Sequence, residues 1–413
     1  MKPIKYFLFL LIPLSIYANG GSVYSRYGIG NLILLNSARN LGLGSIGFAV
    51  TDGNYINSLN PASWNILPMT RFEAGLKYSG ISLRDNNNSN LYSDVVFSGF
   101  VIGFPIDREL GISLVGGLIP YSNVEYEVIQ NLQSPGIDDD YILDLKGNGG
   151  VNKFFIGASY RLPFDVSIGA SLEYYTGKIE YTSKIDFATG SQYKDAVYLD
   201  KYIYRGVGFN LGLISNDLSE LLGINNLENL RIGINYNFSP TLKTDTTLYT
   251  GSSVGSKQIE SALVDSEIPS RLGIGVSLLW NKNYLFLFDY ILQPWSEFKF
   301  ANENSNYLTN FSRMSLGFEY KNRTVRFSNA WEQISLRCGL SYEQSQYSFY
   351  GTNINEYSIY GGLSFPIGIE SSIDFGIQYG MRGTTDNNLL KENIFNAFLS
   401  INFGELWFIR QER

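Results

Sequence analysis

The chain of 413 residues contains no histidine and only one cysteine, Cys338. Ser-His-Asp triads and most zinc sites are therefore excluded, because they depend on histidine or on several cysteines. A single cysteine also cannot form a disulfide within the chain, so no disulfide framework holds the fold. We expect a protein that is not an enzyme and that has neither a metal site nor a cofactor.

Long hydrophobic runs are absent after residue 18, so the sequence offers no later candidate for a transmembrane helix. Residues 1–18 have the order of a secretory signal peptide, with Lys2 and Lys5 ahead of the apolar run Tyr6–Tyr17. An uncleaved anchor is the alternative. The run is shorter than the roughly 20 residues that a helical span needs, however, and Pro13 interrupts it. We predict that the chain is exported.

Positive charge is also scarce, because 31 basic residues face 38 acidic ones and the formal net charge is −7. Nucleic acid is therefore excluded as a partner, since phosphate backbones are bound by basic surfaces. Tyrosine (30), phenylalanine (27) and glycine (42) are abundant instead. Aromatic residues favour strands, and glycine permits tight turns and close backbone packing.

Strand-like alternation dominates the sequence between residues 71 and 403. In residues 166–174 and 272–280, apolar side chains occupy every second position and each run ends in an aromatic residue. Such alternation also fits a soluble β-sandwich with one wet face. The aromatic ends favour a membrane wall, and so does the sorting of charges, because a charge facing lipid at mid-depth costs about 2–4 kcal/mol.

The charged residues of the alternating runs fall in the phase opposite to the apolar side chains. We predict that they point inward and form a lumenal charge network. These residues are Glu173, Arg231, Arg271, Arg313, Glu319, Arg337 and Asp374. Cys338 lies in the apolar phase and is expected to be a lipid-facing filler.

Alternation and turn signals together predict an all-β fold, namely a 14-stranded antiparallel transmembrane barrel. An even strand count is typical of single-chain outer-membrane barrels. The strands are expected near residues 71–83, 92–104, 109–127, 152–162, 165–182, 199–213, 229–241, 268–280, 283–299, 309–321, 334–344, 355–366, 371–382 and 393–403. Residues 176–265 leave room for one pair more or less. Short connections such as Pro105–Arg108 fit periplasmic turns, and long polar ones such as Gln130–Gly150 fit extracellular loops. Ser215–Asn229 is predicted to hold a short helix.

The stretch Tyr24–Leu67 neither alternates like a strand nor suits a stable helix, because it is rich in glycine and asparagine. A compact irregular segment ahead of a run of strands predicts a plug inside a barrel. Its residues 42–47 match the dinucleotide fingerprint G-x-G-x-x-G but lack the flanking strand and helix, so we expect tight backbone packing instead. The predicted domains are a signal peptide (1–18), a plug (19–67), a transmembrane barrel (68–403) and a periplasmic tail (404–413).

Gly116, Gly117 and Pro120 interrupt the third predicted strand. Proline removes a ladder donor, and paired glycines mark bulges and sharp bends. The strand either ends in a loop near residue 116 or is kinked so that pairing with its neighbour lapses, which leaves a lateral gate. The sequence leaves both alternatives open.

Three stretches resemble the FadL/TodX-like family of outer-membrane transport proteins, in particular its relatives from Bacteroidetes-type bacteria. GSIGFAVTDGNYINSLNPASW is similar to the N-terminal hatch of the family, with Asn60, Pro61 and Ala62 matching its Asn-Pro-Ala motif. The stretch from Ile268-Pro269 to FLFDYILQPWSEF resembles the mid-barrel strand pair, and ENIFNAFLSINFGELWFIRQER resembles the final strand and basic ending. The resemblance implies a 14-stranded barrel, an N-terminal plug, and passage of hydrophobic molecules through a gap beside a kinked third strand.

Two functions are therefore expected. The first is a channel in the outer membrane of a Gram-negative bacterium for passive uptake of hydrophobic small molecules, fatty-acid-like or hydrocarbon-like, gated by the plug and with lateral exit. The second is a non-transporting barrel that acts as the partner of a protein secretion or surface-attachment system. The expected partners are outer-membrane lipid, a hydrophobic small molecule and, for the second function, exported proteins.

Overall fold

A computed structural model describes residues 21–34, 37–86, 88–133, 139–188, 190–238, 240–252, 255–322, 330–367 and 370–407. The predicted signal peptide (1–18) and the last six residues of the predicted tail (408–413) lie outside the described residues. Within the described ranges, no helix is long and apolar enough to cross a membrane.

The described residues form one sheet, in which fourteen antiparallel strands close into a ring. A two-residue strand, β1 (Asn31–Leu32), precedes the ring. The fourteen wall strands are β2 (Thr70–Arg84), β3 (Ser89–Asp107), β4 (Ile112–Leu132), β5 (Tyr141–Arg161), β6 (Ser167–Phe187), β7 (Ala196–Ile214), β8 (Leu227–Phe238), β11 (Arg271–Trp280), β12 (Tyr284–Gln293), β15 (Phe311–Tyr320), β16 (Ser335–Phe349), β17 (Thr352–Pro366), β18 (Ser372–Arg382) and β19 (Lys391–Glu405). The last strand, β19, pairs with β2 over its whole length, and this pairing closes the ring. The predicted 14-stranded antiparallel barrel is confirmed.

Smaller elements complete the described chain. The remaining strands are β9 (Thr241–Ser252), β10 (Gly255–Glu267), β13 (Lys299–Phe300) and β14 (Glu303–Asn304). The α-helices are α1 (Ala38–Gly42) and α2 (Ser219–Leu222), and 3₁₀ turns lie at Val23–Arg26, Pro61–Ile66, Pro163–Asp165, Trp295–Glu297, Ala330–Gln333 and Asp386–Asn388. Helix α2 lies inside the stretch Ser215–Asn229, where a short helix was predicted.

The barrel has two ends, which we call lower and upper. The first wall strand begins and the last one ends at the lower end, which we predict to face the periplasm. The strands β4, β5 and β6 have 21 residues each, about twice the ~9–11 residues that a tilted strand needs to cross a bilayer. The wall therefore continues well beyond the membrane at the upper end.

The upper end differs from the sequence prediction at two places. Gln130–Gly150 is not a long loop, because β4 runs to Leu132 and β5 starts at Tyr141. Residues 241–267 were given no strand beyond residue 241, yet β9 and β10 form a hairpin that extends β8 and β11 upward and pairs with the upper half of β7. These parts lie above the membrane, so their outer face needs no apolar side chains, and the strict alternation that reveals wall strands is missing.

The two faces of the wall separate apolar from charged side chains. Leu172 is 55% exposed on the outer face, whereas the adjacent Glu173 is only 1% exposed and points into the lumen. The same alternation holds along β11, where Ile274 is exposed and Arg271 is buried. Cys338 lies on the outer face. The wall thus carries the outward apolar band that an outer-membrane barrel needs.

Candidate functional site: the lumen and the gap between β3 and β4

The lower lumen is filled by residues 37–67, which we call the inner segment. Asn60 is fully buried at its centre, and its side chain also lies 3.4 Å from the carbonyl oxygens of Leu213 and Ile234 in the wall. Its side-chain NH₂ group donates to the carbonyl oxygen of Phe48 (2.7 Å), and its side-chain oxygen accepts from the N–H of Ala62 (3.0 Å). The second bond caps the 3₁₀ turn Pro61–Ile66, in which Pro61 occupies the first position, where its missing N–H costs nothing.

Wall glycines allow the backbone of the inner segment to lie directly against the wall. A Cβ atom at Gly212 would clash with the Asn60 side chain, and one at Gly233 would clash with the carbonyl group of Phe48. Further wall glycines that meet the inner segment in this way are Gly169, Gly273, Gly275, Gly317, Gly339, Gly362 and Gly376. The fit depends on these positions having no side chain.

A buried ion cluster ties the inner segment to the wall. Arg39 of the inner segment lies 3.3 Å from Glu319 and 2.9 Å from Asp52. Arg337 of β16 lies 2.8 Å from Glu319 and 3.0 Å from Asp374. The side chains of Glu319, Arg337 and Asp374 are completely shielded from solvent, so each charge depends on its partners.

Tyr55 completes this cluster from the inner segment. Its hydroxyl donates to Asp374 (3.1 Å) and accepts from Arg337 (3.2 Å). The guanidinium of Arg39 lies 4.3 Å from the centre of the Tyr55 ring. Three of the seven predicted lumenal charges, Glu319, Arg337 and Asp374, are thereby brought together.

The other predicted lumenal charges do not join this cluster. Glu173 is paired with Lys153 (2.7 Å) and accepts hydrogen bonds from Tyr175 and Asn237. Arg313 donates to the hydroxyl of Tyr360 (2.7 Å) and lies 3.7 Å from Glu343. Arg271 is buried, with its Nε atom lacking a partner among the described residues, and Arg231 donates to the carbonyl oxygen of Ser215 (3.1 Å) at the lower rim.

Several residues of the lumen were missed by the sequence analysis. Asp289 of β12 is buried and accepts hydrogen bonds from the N–H groups of Gly47 (2.6 Å) and Phe48 (3.0 Å). Arg39 and Asp52 are the only Arg, Lys, Asp or Glu residues between positions 37 and 67. Two isolated charges in an otherwise uncharged segment could have indicated that they pair with charges of the wall. Across the described residues, no group of three or more Cys, Asp or Glu side chains is placed to hold a metal ion.

The wall has a gap between β3 and β4. Their ladder starts at the lower end and stops at the pair Phe100–Leu118. Above this pair, β3 continues to pair with β2 and β4 continues to pair with β5, up to the upper ends of these strands. In the described residues, the upper halves of β3 and β4 do not pair with each other.

Gly116, Gly117 and Pro120 lie where this ladder ends. Gly116 and Gly117 still pair with β3, whereas Pro120 pairs only with Asn152 of β5 and is followed by a bulge. The strand β4 runs on to Leu132, so it does not end in a loop near residue 116. Their role as a lateral gate remains a prediction.

Residues 21–34, which we call the arm, lie inside the lumen behind this gap. The arm contains β1, which pairs with β4 through Asn31–Asn123 and Leu32–Ser122. The N–H of Ile33 also donates to the carbonyl oxygen of Tyr121 (2.9 Å). The arm therefore occupies part of the β4 edge that β3 leaves free.

The other side of the arm is bound to wall strands on the far side of the β2–β3 hairpin from β4. Ser22 donates to Glu392 of β19 (2.7 Å), and Asn31 accepts from Tyr347 (3.2 Å) and Arg382 (3.4 Å). The arm thus crosses behind β2 and β3, from β18 and β19 to β4. Its aromatic residue Tyr24 stacks in the upper lumen, where many tyrosines and phenylalanines of the wall form a buried cluster.

A cavity of about 640 Å³ lies between the arm and the β2–β3 hairpin, at the level of the gap. Val96 and Phe97 of β3 line it together with Asn123 of β4 and Leu32 of the arm. Its polar lining includes Lys77, Asp94, Glu125, Glu343, Glu356 and Arg382. The cavity is therefore amphipathic, with apolar side chains at the gap and charged ones toward the lumen.

Lys77 stands out in this lining. Arg382 is paired with Glu392 (Nε–Oε2 2.7 Å), so its charge is already compensated. Lys77 has neither an ion pair nor a hydrogen-bond partner among the described residues. Lys77 is thus a cation beside the gap without a close partner, in a lining that also carries carboxylates such as Asp94 and Glu356.

Known proteins share this fold. A family model described as BamG matches residues 1–412. Similar solved structures include the CymD monoaromatic hydrocarbon channel (19% identity, TM-score 0.58, 90% of this chain and 98% of that chain), the Ralstonia pickettii toluene transporter TbuX (17%, 0.59, 89% and 97%) and a Pseudomonas aeruginosa FadL homologue (11%, 0.60, 90% and 98%). No curated protein matches the chain in sequence. The FadL/TodX-like fold implied by the three stretches is confirmed.

Proposed function

Since the chain belongs to the BamG family and has a FadL-like barrel, we propose that it is an outer-membrane channel for hydrophobic small molecules. The molecules pass between the lumenal cavity and the lipid through the gap between β3 and β4. Passage is passive and needs no energy source. The chain resides in the outer membrane of a Gram-negative bacterium after removal of residues 1–18, with residues 404–413 in the periplasm.

The proposal depends on one observation: the β3–β4 ladder stops partway up the wall, next to the cavity. In lipid, unpaired backbone N–H and C=O groups cost several kcal/mol each, so an unpaired stretch of wall needs a reason. The upper edge of β3, which does not pair with β4, and the arm-covered edge of β4 border a space of about 640 Å³, which is large enough for a small amphipathic molecule. The solved neighbours named as a hydrocarbon channel and a toluene transporter support a channel for hydrophobic molecules.

The lining favours a fatty-acid-like ligand over a pure hydrocarbon. A hydrocarbon gains nothing from the charged groups around the cavity, because burying charges against an apolar ligand removes their solvation. A ligand with an anionic head would place the head near Lys77 and its tail between Val96 and Phe97 toward the lipid. The inner segment acts as the plug, because its buried ion cluster with Glu319, Arg337 and Asp374 closes the lower lumen.

The test is transfer of a fluorescent fatty acid between vesicles that contain the purified protein. Val96 lines the cavity, whereas its neighbour Val95 is 49% exposed on the outer face. We expect Val96→Trp to reduce the protein-dependent transfer rate at least tenfold and Val95→Trp to leave it unchanged. Equal rates for both variants and the parent protein would refute passage through the gap. Mass spectrometry of small molecules that copurify with the protein identifies the natural ligand.

A second function is favoured by the height of the upper wall. The strands β4–β7, with β9 and β10, form a sheet that stands above the membrane and carries exposed apolar side chains such as Leu263 (66% exposed). We propose as the alternative that this sheet binds exported proteins for a secretion or surface-attachment system. A photocrosslinker at Leu263 should then form adducts with such proteins, and one at Val207 of the lipid-facing band, which is 58% exposed, should not.

A further inference from the structure

The outer face of the wall carries a notch where the apolar band meets the upper wall. The notch has a volume of about 540 Å³ and lies between the hairpin of β9 and β10 and the chain that follows β12. The strands below it, β11 and β12, have ten residues each, within the ~9–11 residues that a tilted strand needs to cross a bilayer. The notch therefore lies at the upper boundary between membrane and water.

The floor of the notch is apolar and continues into the lipid-facing band. Leu272 of β11 is the direct ladder partner of both Tyr236 of β8 and Leu292 of β12, so three large side chains form one row. The next row down crosses the same strands and consists of Ile234, Ile274 and Tyr290. An acyl chain that begins in the notch can therefore run down the wall along these rows.

The rim of the notch is polar and carries more negative than positive charge. Its charged residues are Glu267, Glu297 and Lys299. Lys299 lies 3.0 Å from Glu267, so these two charges compensate each other. Glu297 is exposed, and its carboxylate has neither an ion pair nor a hydrogen bond among the described residues. Two carboxylates against one amine leave an excess of one negative charge, located at Glu297.

The rim is also held in place by the fold. Trp295 and Phe298, which flank Glu297 in sequence, are buried, and the centres of their rings lie 5.4 Å apart. The N–H of Glu297 donates to the carbonyl oxygen of Pro294 (2.9 Å) and closes a turn. The strand β13 then pairs with the lower end of β10. A rim fixed in this way loses little conformational freedom when a ligand binds.

The notch is separate from the lumenal cavity of the proposed channel. The two share no lining residue. The neighbours of the floor residues, Arg271 and Gln293, point inward and are buried. A ligand in the notch therefore contacts the upper wall and the lipid, and it has no access to the lumen.

We propose that the notch binds one membrane lipid that carries an amine in its headgroup. The amine lies against Glu297 at the rim, and an acyl chain covers Leu272 and continues past Ile274. An apolar floor toward the bilayer and a charged rim toward water match an amphipathic molecule in this orientation only. A lipid whose headgroup is purely anionic is disfavoured, because it would bring a second negative charge to an unpaired carboxylate. The site lies outside the proposed channel and does not depend on it.

The first test identifies the lipid in the notch. The full-length protein, with a photocrosslinking amino acid at the exposed Ile274, is placed in vesicles of equal parts phosphatidylethanolamine and phosphatidylglycerol with the same acyl chains. Mass spectrometry of the adducts then compares a headgroup with an amine and one without it. We expect at least three times more adducts with phosphatidylethanolamine. Equal amounts would mean ordinary boundary lipid, and an excess of phosphatidylglycerol would mean an anion site; either result overturns the proposal.

Two charge variants locate the selectivity. Glu297→Lys reverses the charge at the rim, so it should abolish or invert the preference for phosphatidylethanolamine. Glu260→Lys makes the same change in net charge at an exposed residue of β10 that does not line the notch, and it should leave the preference unchanged. An equal effect of both variants would show that overall charge selects the lipid, and this would overturn the site.

A second measurement needs no crosslinker. Phosphatidylethanolamine is added to the detergent-purified protein, and the lipid-bound fraction is read by native mass spectrometry. Leu272→Trp fills the notch and should lower this fraction at least fivefold, whereas Leu316→Trp, at a 56% exposed position of the lipid-facing band, should not. Equal fractions for the two variants contradict the proposal. Val96→Trp lines only the lumenal cavity and should leave the bound fraction unchanged, so failure of the channel and failure of the lipid site are told apart.

Discussion

Removing Arg337 should destabilise the barrel more than removing any surface arginine, because its positive charge compensates two buried carboxylates. The guanidinium lies 2.8 Å from Glu319 and 3.0 Å from Asp374, and it donates to the hydroxyl of Tyr55. In Arg337→Met, Asp374 loses its ion-pair partner while staying fully buried. Leaving a buried charge uncompensated costs about 3–5 kcal/mol.

The matched control is Arg205→Met. Arg205 pairs with Asp245 at 3.0 Å, but both side chains are exposed, 55% and 42%, so the pair is worth about 0–1 kcal/mol. The assay is urea unfolding in detergent micelles, followed by the loss of the compact barrel form on gels. We expect a clear fall of the urea midpoint for Arg337→Met and almost none for Arg205→Met.

A double variant tests the stated cause. In Arg337→Met with Asp374→Asn, the orphaned charge is gone, so the loss of stability should be smaller than the sum of the two single losses. The cluster also joins the inner segment to the wall, so Arg337→Met should make vesicles leakier to small solutes. Equal midpoints for Arg337→Met and Arg205→Met would refute the reasoning that the cluster carries stability.

Three further predictions concern the ligand, the lower rim and the wall glycines. Lys77→Met should weaken binding of a fatty-acid probe at least tenfold and leave binding of a neutral alcohol of equal chain length unchanged, as measured by fluorescence titration. Burial acts to raise the pKa of the Asp217 carboxyl, but hydrogen bonds from the N–H groups of Ser219, Asn229 and Leu230 outweigh it and hold the pKa below its usual value. The stabilisation that Asp217 gives to the lower rim is therefore present above the usual carboxyl pKa of ~3.9 and is lost as the pH falls through the lower folded pKa. Hydrogen exchange in residues 217–230 should accelerate at pH 3 relative to pH 7, after correction for intrinsic rates, and Asp217→Asn should remove this difference. Gly212→Ala should lower the urea midpoint, because its methyl group collides with the Asn60 side chain, whereas Ser171→Ala on the neighbouring strand should have a small effect.

The sequence was sufficient to predict the wall, because lipid on one side and charge on the other impose a strict period of two. Residues such as Leu172 and Glu173 carry that signal directly. The hairpin of β9 and β10 gave no such signal, since its outer face meets water rather than lipid. Lys243 and Asp265 are partners on that outer face, whereas Leu242 and Thr244 are buried on the inner one.

The site was predictable only in part. Glu319, Arg337 and Asp374 were predicted to face the lumen, but their partners Arg39 and Tyr55 come from the irregular segment, where no period orders the side chains. Gly116, Gly117 and Pro120 marked the place where the β3–β4 ladder ends. The pairing of β1 with β4 could not be predicted, because two residues carry no periodic pattern and the contact is distant in sequence.

The wall glycines also constrain how the molecule is assembled. The carbonyl of Phe48 lies against Gly233 and the side chain of Asn60 lies against Gly212, so the inner segment and the wall are in direct contact at these positions. We therefore expect the inner segment to be in place before the ring closes, since this close contact leaves no clearance for threading it in afterwards. The seam between β2 and β19 is made by the strand that follows the inner segment and by the last strand of the chain. We expect β19 to pair with β2 only after residues 37–67 have packed against the other wall strands, so that the ring closes with its last-made strand.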